Sequence, residues 1–582
     1  MDYQQIQEQQ KEKAVEQARE SISLAETAVS ESPSPRIAGG TGNFLADLTA
    51  SLDAYESGKG EMDAINAELA GMKDIKIPQY AQKTGLSKFF WNLFHGKEAK
   101  QQAAAVEEAE QKKAEQDKRR AELESQKGAA SSSMGDALSQ FSSLMGAATK
   151  SNIKEMINNE AVVRRIMASL PEDKVKSTLD LIYPEMDEAH MDLFMDMITA
   201  RFSVPIVDSS QERIDRLSES TKKFVLHDIC IQKADGTIIN TKAQPLDWTF
   251  SALQKIYAAY LTIPAEHLKL VRCLVHYADN ENGGAALGEV GVYWVNYVKG
   301  REEQREGDPY TGSCTSSTSD TRNGMNKFTL TLIHELGHVV DGKHDNYGYS
   351  DSPEFRKWSE WVEVPKNDPT KIVNYMIESM ENIPYNNTLS EKELNLAIDI
   401  SKAMIKKQEE VINSWSKGQS FVKTKVNAKE DLSDTEKEAL IETFSSRDKN
   451  NLIYHIWMGL GAHTSSSCLG CYNHSNVMQG MKRPFYQGYD YDPWFSFNNA
   501  RWSNKISAYQ YRCPKEEFAE TYASYHAAPT ATREVNGQQV PYKKGDKTPE
   551  GLKTWFEKEG LHQMTPDKVE GTSEIKNEKM AS

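Results

Sequence analysis

Apolar and polar positions alternate along this chain in three different ways. Over residues 1–150 the pattern is that of polar helices. In "KEAKQQAAAVEEAEQKKAEQDKRRAELESQK" the apolar positions are mostly alanine, too small to seal a core, so solvated helices or helices lying against a partner are expected. Among them, "GLSKFFWNLFHGK" crowds Phe89, Phe90, Trp91, Leu93 and Phe94 together. It reads as a local cluster covering nearby helices, with a membrane- or partner-docking anchor as the alternative. "GAASSSMGDALSQFSSLMGAATKSN" then reads as a linker with a weak helix. From 151 to 220, "VVRRIMASL", "VKSTLDLIY" and "MDLFMDMITARF" place large apolar residues at helical spacing between proline breaks, which predicts a small helical module.

A third pattern runs over 221–562. Strand-like runs, "KKFVLHDICIQ" and "LKLVRCLVHYA", flank a helix, "TFSALQKIYAAYLTI". After a Gly-Gly turn, "GEVGVYWVNYV" (288–298) alternates and is rich in β-branched and aromatic residues, so it predicts a strand. It is also the candidate edge strand for pairing with an extended peptide. Charged helices return over 366–450, and residues 563–582 read as a disordered tail. Strands leading into a long amphipathic helix imply an α+β core.

That helix carries the chemistry. In "NKFTLTLIHELGHVVD" the side chains of Leu330, Ile333, Val339 and Val340 make one side apolar. His334 and His338, four apart, project from one face about one turn apart. Both imidazoles can then reach one zinc at about 2.0–2.1 Å. Glu335 projects beside them, where it would act as general base on a zinc-held water and pass the proton to the leaving amine. Gly337 leaves the helix surface open to a close neighbour.

A catalytic zinc needs a third protein ligand, and two candidates exist. His344 stands at the spacing of the HExxHxxGxxH pattern of metzincins, but the glycine that pattern needs for a left-handed turn is replaced by Asp341. "NYMIESM" (374–380) would have to supply the methionine turn below the metal. The second candidate lies in "ISAYQYRCPKEEFAETYASYHAAP" (506–529), where Pro514 suits a helix start and Phe518, Tyr522 and Tyr525 give the apolar spacing. Glu516 and Glu520 share one face there. One can bind zinc while the other orients a ligating histidine.

"HELGHVVD", then "SPEF" (352–355), then "AYQYRCPKEEFAETYASY" resemble the gluzincin zinc-peptidase domain of the anthrax lethal factor type, a group that includes the Pro-Pro endopeptidases. The resemblance covers roughly 220–560 and is concentrated in two short motifs. It implies a gluzincin core with inserted helices. His334, His338 and Glu516 would be the zinc ligands, Glu335 the base and Glu520 the carboxylate behind a ligand. Tyr509, seven residues before Glu516, would stabilise the oxyanion. The family reaches its third ligand within about fifty residues, whereas 178 positions separate His338 from Glu516 (516 − 338). Helices 366–450 would therefore be an insertion.

Composition narrows the partners. With 85 acidic against 69 basic residues the net charge is −16, which argues against nucleic acid as the main partner. A protein or peptide substrate fits better. Six scattered cysteines suit a reducing cytosol better than a disulfide scaffold. "GAHTSSSCLGCYNHSN" could hold a second, structural zinc through Cys468 and Cys471 with His463 and His474, or a redox pair. Its compressed spacing favours a plain loop. The N-terminus has no apolar signal-peptide core and no run of about 18 apolar residues occurs, so neither Sec export nor a membrane span is expected. Resemblance to lethal-factor-type domains implies a toxin or effector made in the cytoplasm and delivered by another secretion route, with 1–150 as the segment that loads or docks on the machinery.

Overall fold

A computed structural model describes residues 42–78, 95–226, 228–232, 238–242, 244–279, 283–288, 290–308, 321–342, 348–350, 389–407, 414–447, 451–454 and 514–558, with short pieces at 352, 355, 362–364, 411, 457, 485–486, 494–496, 506–507 and 510. These form two compact units that divide between Leu193 and Phe194.

The first unit is helical. Asn43 caps the helix Phe44–Gly71 by accepting from the Ala46 amide at 3.2 Å. It pairs with a single 51-residue helix, Gly96–Gly146, in which Arg119 reaches Glu68 at 2.8 Å and Gln116 reaches the Lys73 carbonyl. The stretch from Gly128, expected to be a linker with a weak helix, is the last third of this helix and lines the seam, with Ala130, Ala137, Phe141 and Met145 buried. Small residues act here as contact residues. A Cβ on Gly58 would lie 2.7 Å from Met134 Cγ, so two backbones approach where larger side chains would hold them apart. The expected helical module follows as Lys150–Asn158, Glu160–Ser169 and Glu172–Ile182, and the division between the units falls within its fourth helix, Met191–Phe202. Pro171 and Pro184 sit at the breaks, and Arg165 joins Asp53 and Glu56 at 2.7 Å each.

The second unit is built on a four-stranded sheet. Strand β1 (Ile206–Val207) is followed by the hairpin β2 (Asp228–Gln232) and β3 (Ile238–Lys242), then by β4 (Cys273–Val275), β5 (Gly284–Leu287) and β6 (Val292–Val295). The sheet order is β1-β4-β6-β5, parallel except for antiparallel β5. Two expectations change. "KKFVLHDICIQ" begins as a helix, Glu219–Val225 capped by Ser218, and only then becomes β2. "GVYWV" holds an interior strand, β6, because β5 pairs along its outer side; the edge is β5. The expected helix forms over Phe250–Tyr260, capped by Thr249.

Between residues 389 and 457 three helices, Glu391–Lys406, Trp415–Asn427 and Asp434–Phe444, share a core of their own. Leu396, Ile400, Trp415, Val422, Phe444 and Ile453 are among its members, all drawn from this stretch. A small sheet of β7 (Val362–Val364), β8 (Phe485–Tyr486) and β9 (Trp494–Ser496) and a terminal hairpin, β10 (Thr532–Val535) with β11 (Gln538–Pro541), complete the described strands. The hairpin turns through Asn536 and Gly537, both at positive φ.

Candidate metal centre

The HExxH helix is Lys327–Gly342. Asn326 starts it, accepting from the Thr329 amide at 2.9 Å and donating through Nδ2 to the Glu302 carbonyl at 2.7 Å. Leu332, Ile333, Leu336, Val339 and Val340 are buried. The carboxylate helix is Pro514–Ala527. Sequence spacing suggested one apolar face, yet this helix is buried nearly all round, including Glu517, Thr521, Ser524 and His526. Gly337 makes the contact between the two helices. A Cβ there would stand 3.1 Å from Ala519 Cα and 3.2 Å from Tyr522 Cβ, so the open surface expected at Gly337 is filled by the carboxylate helix.

This contact brings three donor atoms together across 182 positions of sequence. His334 Nε2 lies 3.0 Å from Glu516 Oε2, His338 Nε2 lies 3.2 Å from the same oxygen, and the two Nε2 atoms are 3.2 Å apart. Bonds of about 2.0–2.1 Å in a tetrahedron put ligand atoms roughly 3.3 Å from one another. The triangle therefore has close to the dimensions of one face of a zinc tetrahedron. Two imidazoles and a carboxylate are also a catalytic rather than a structural donor set, since they leave the fourth position open. Among the described residues this is the one group of three or more His, Cys, Asp or Glu side chains gathered closely enough to hold a metal.

Charge favours a cation at the same point. His334 Nδ1 is 3.3 Å from Glu520 Oε1, which directs its other nitrogen to the triangle. Burial opposes charge on His334, but Glu516, Glu520 and the field of Glu335 outweigh it and push the imidazole up to about 10. Burial likewise opposes ionisation of Glu516, yet His338 and His334 hold it well below the usual carboxylate range. A divalent cation satisfies this field without protonating either imidazole.

Glu335 is buried beside the triangle, and burial raises its carboxyl against the opposing pull of both histidines. A Cβ on Gly284 would fall 2.6 Å from Glu335 Cγ, so the carboxylate side chain lies directly on the edge strand β5. A Cβ on Gly288, just past β5, would be 2.4 Å from the His338 carbonyl. Gly284, expected in a turn, is instead the first residue of β5, and Gly288, expected to open the following strand, lies in the turn between β5 and β6. Their double spacing with Ala286 in "GAALG" was the available signal.

Asp341 does not make the left-handed turn that a metzincin needs. It is helical, and its carboxylate accepts from Ser350 through the amide (2.8 Å) and hydroxyl (2.6 Å). His344, Tyr509, the methionines of 374–380, the cysteine loop with Cys468 and Cys471, the aromatic run 89–94 and the tail 563–582 lie outside the described residues. Compared with known protein families, curated proteins and solved structures, the chain matches none.

Proposed function

We propose that this chain is a zinc-dependent endopeptidase of gluzincin type, with His334, His338 and Glu516 as ligands and Glu335 as general base. The observation that carries the reading is the convergence of His334, His338 and Glu516 to within 3.0–3.2 Å while Glu335 lies buried alongside. A purely structural site has no use for a buried carboxylate beside an open coordination position.

A zinc bound there would polarise a carbonyl and make its bound water acidic. Glu335 would take the proton from that water at its carboxylate and hand it to the leaving nitrogen, and its raised affinity for protons suits both halves of the transfer. Glu520 holds His334 in the tautomer that presents Nε2. An extended substrate would add to the side of β5 that pairs with no strand among the described residues, within reach of Glu335. Tyr509, by resemblance, would donate to the oxyanion. A toxin or delivered effector is the biological setting we propose, with the segment before 150 serving its export. No helix among the described residues is long and apolar enough to cross a membrane.

The decisive experiment combines zinc content by mass spectrometry with cleavage of a peptide library, on wild type, Glu335→Gln, Glu516→Ala and His344→Ala. The reading expects about one zinc in wild type and Glu335→Gln, cleavage only where Glu335 is intact, and zinc lost only in Glu516→Ala. Zinc lost in His344→Ala instead would favour a metzincin-like site. Zinc bound with no cleavage in any library would favour a zinc-stabilised binding protein of a secretion or phage apparatus.

A further inference from the structure

The metal centre is backed by a charge that the two motifs do not contain. Arg322 lies in the turn before the HExxH helix, in "SDTRNGMNKF". That turn is fixed from both sides. The Glu306 amide donates to the Met325 carbonyl (2.8 Å), the Gly324 amide to the Glu306 carbonyl (3.0 Å) and the Lys327 amide to the Gln304 carbonyl (2.9 Å). The Thr321 amide donates to the Ile506 carbonyl at 2.9 Å, just ahead of the carboxylate helix. Gly324 takes the positive φ that the turn requires.

Held this way, the Arg322 side chain is only 11% exposed and sits between two carboxylates that are more buried still. Nη2 is 3.3 Å from Glu306 Oε1, and Nη1 is 3.1 Å from Glu520 Oε1. The same Glu520 oxygen is 3.3 Å from His334 Nδ1. One oxygen thus serves a guanidinium on one side and a zinc-ligand histidine on the other. A rigid planar fork that stays charged is suited to bridging two buried carboxylates, and a buried charge persists only when it is paired.

We propose that Arg322 is the positioning residue of the metal centre. It fixes the Glu520 carboxylate as an anion at one place, the carboxylate fixes Nδ1–H of His334, and Nε2 is thereby aimed at the metal. Glu306 balances the guanidinium so that it does not leave Glu520 for another partner. The inference rests on the zinc reading above and adds to it a residue 198 positions from its carboxylate partner.

The test is a double-mutant cycle on zinc affinity, read by competition with a chromogenic chelator on the full chain, with cobalt(II) spectra of each form. Arg322→Gln should weaken zinc binding by about 10–100-fold and change the intensity or position of the cobalt d–d bands. In a Glu520→Gln background the same substitution should add little. Because a lone replacement leaves the buried Glu306 and Glu520 carboxylates without their shared guanidinium, Arg322→Met with Glu306→Gln supplies a variant with the excess charge removed. It should melt cooperatively and still show the weakened affinity and altered spectrum. Zinc affinity within twofold of wild type in that folded variant, or losses from Arg322 and Glu520 that simply multiply, would overturn the proposal while leaving the zinc reading intact. A wild type that binds neither zinc nor cobalt would overturn both.

Discussion

The helices Glu391–Lys406 and Asp434–Phe444 begin at capping boxes, Ser390 with Glu393 and Ser433 with Glu436, in which each carboxylate reaches back to the cap amide at 2.6 and 2.7 Å. Their apolar positions meet one another within residues 389–457. The carboxylate helix Pro514–Ala527 also places polar side chains on partners far from itself in sequence. Tyr522 bonds His267 Nδ1 at 2.7 Å across 255 positions, and His526 Nδ1 donates to the Thr262 carbonyl at 3.0 Å across 264. Both regions belong to one compact unit and are helical. One is specified by neighbours in sequence, the other by partners that only the fold delivers. Changes in the first should therefore stay local, while changes in the second should reach the metal.

The strongest break in that contrast is at the site. Glu335→Gln should lower kcat by about 10²–10⁴-fold with zinc retained, and Glu516→Ala should remove the zinc itself. No single substitution within 391–444 should do either. Retention of cleavage in Glu335→Gln would remove the base from the proposal.

A pH dependence should follow from the buried His267. Burial, helped by Lys544, pushes this imidazole down to about 4. Its folded value lies below the unfolded one, so folding disfavours the proton. Stability is fully present above about pH 6.5 and falls as pH drops toward 4, by roughly 3 kcal/mol in all. Melting temperatures of wild type and His267→Phe across that window check this, and the variant should show the shallower acid slope.

Gly337→Val tests the helix contact itself. Overpacking there should cost about 1–3 kcal/mol and weaken zinc together with stability, because Ala519 and Tyr522 must yield. The smallest effect belongs to the insertion. Ser433→Ala should cost about 1 kcal/mol, visible as a lower melting temperature with unchanged zinc affinity. A loss of metal in Ser433→Ala would erase the contrast between the two regions.

The same division explains what could be read from the chain. His334, His338 and Glu335 were legible because a helix turns spacing into direction, and Gly337 because a missing side chain marks a close approach. Spacing alone left Glu516 and Glu520 as alternatives, and only the resemblance singled out Glu516. Strand β6 was recognisable but its place in the sheet was not, since only pairing with β5 makes it interior. The helix over 128–146 was misread because alanine, serine and glycine look like linker residues until a second helix such as Phe44–Gly71 gives them a surface to fit. Arg322 and Glu306 gave no signal, because an isolated arginine in a turn acquires its meaning from Glu520, 198 residues later.

The helices between Glu391 and Phe444 also bear on the chain as a polymer. Joining the ends of a loop costs entropy that rises only with the logarithm of its length. Closing a connection of 178 residues between His338 and Glu516 rather than one of about 50 is less than two doublings of length, and so costs about 1 kcal/mol more. Three helices that pack on one another shorten the effective contour further, since a prefolded bead counts as a few links rather than as all its residues. A long interruption between two halves of a metal centre is therefore a weak perturbation, and ligand spacing along the chain is a poor measure of how well the centre can assemble.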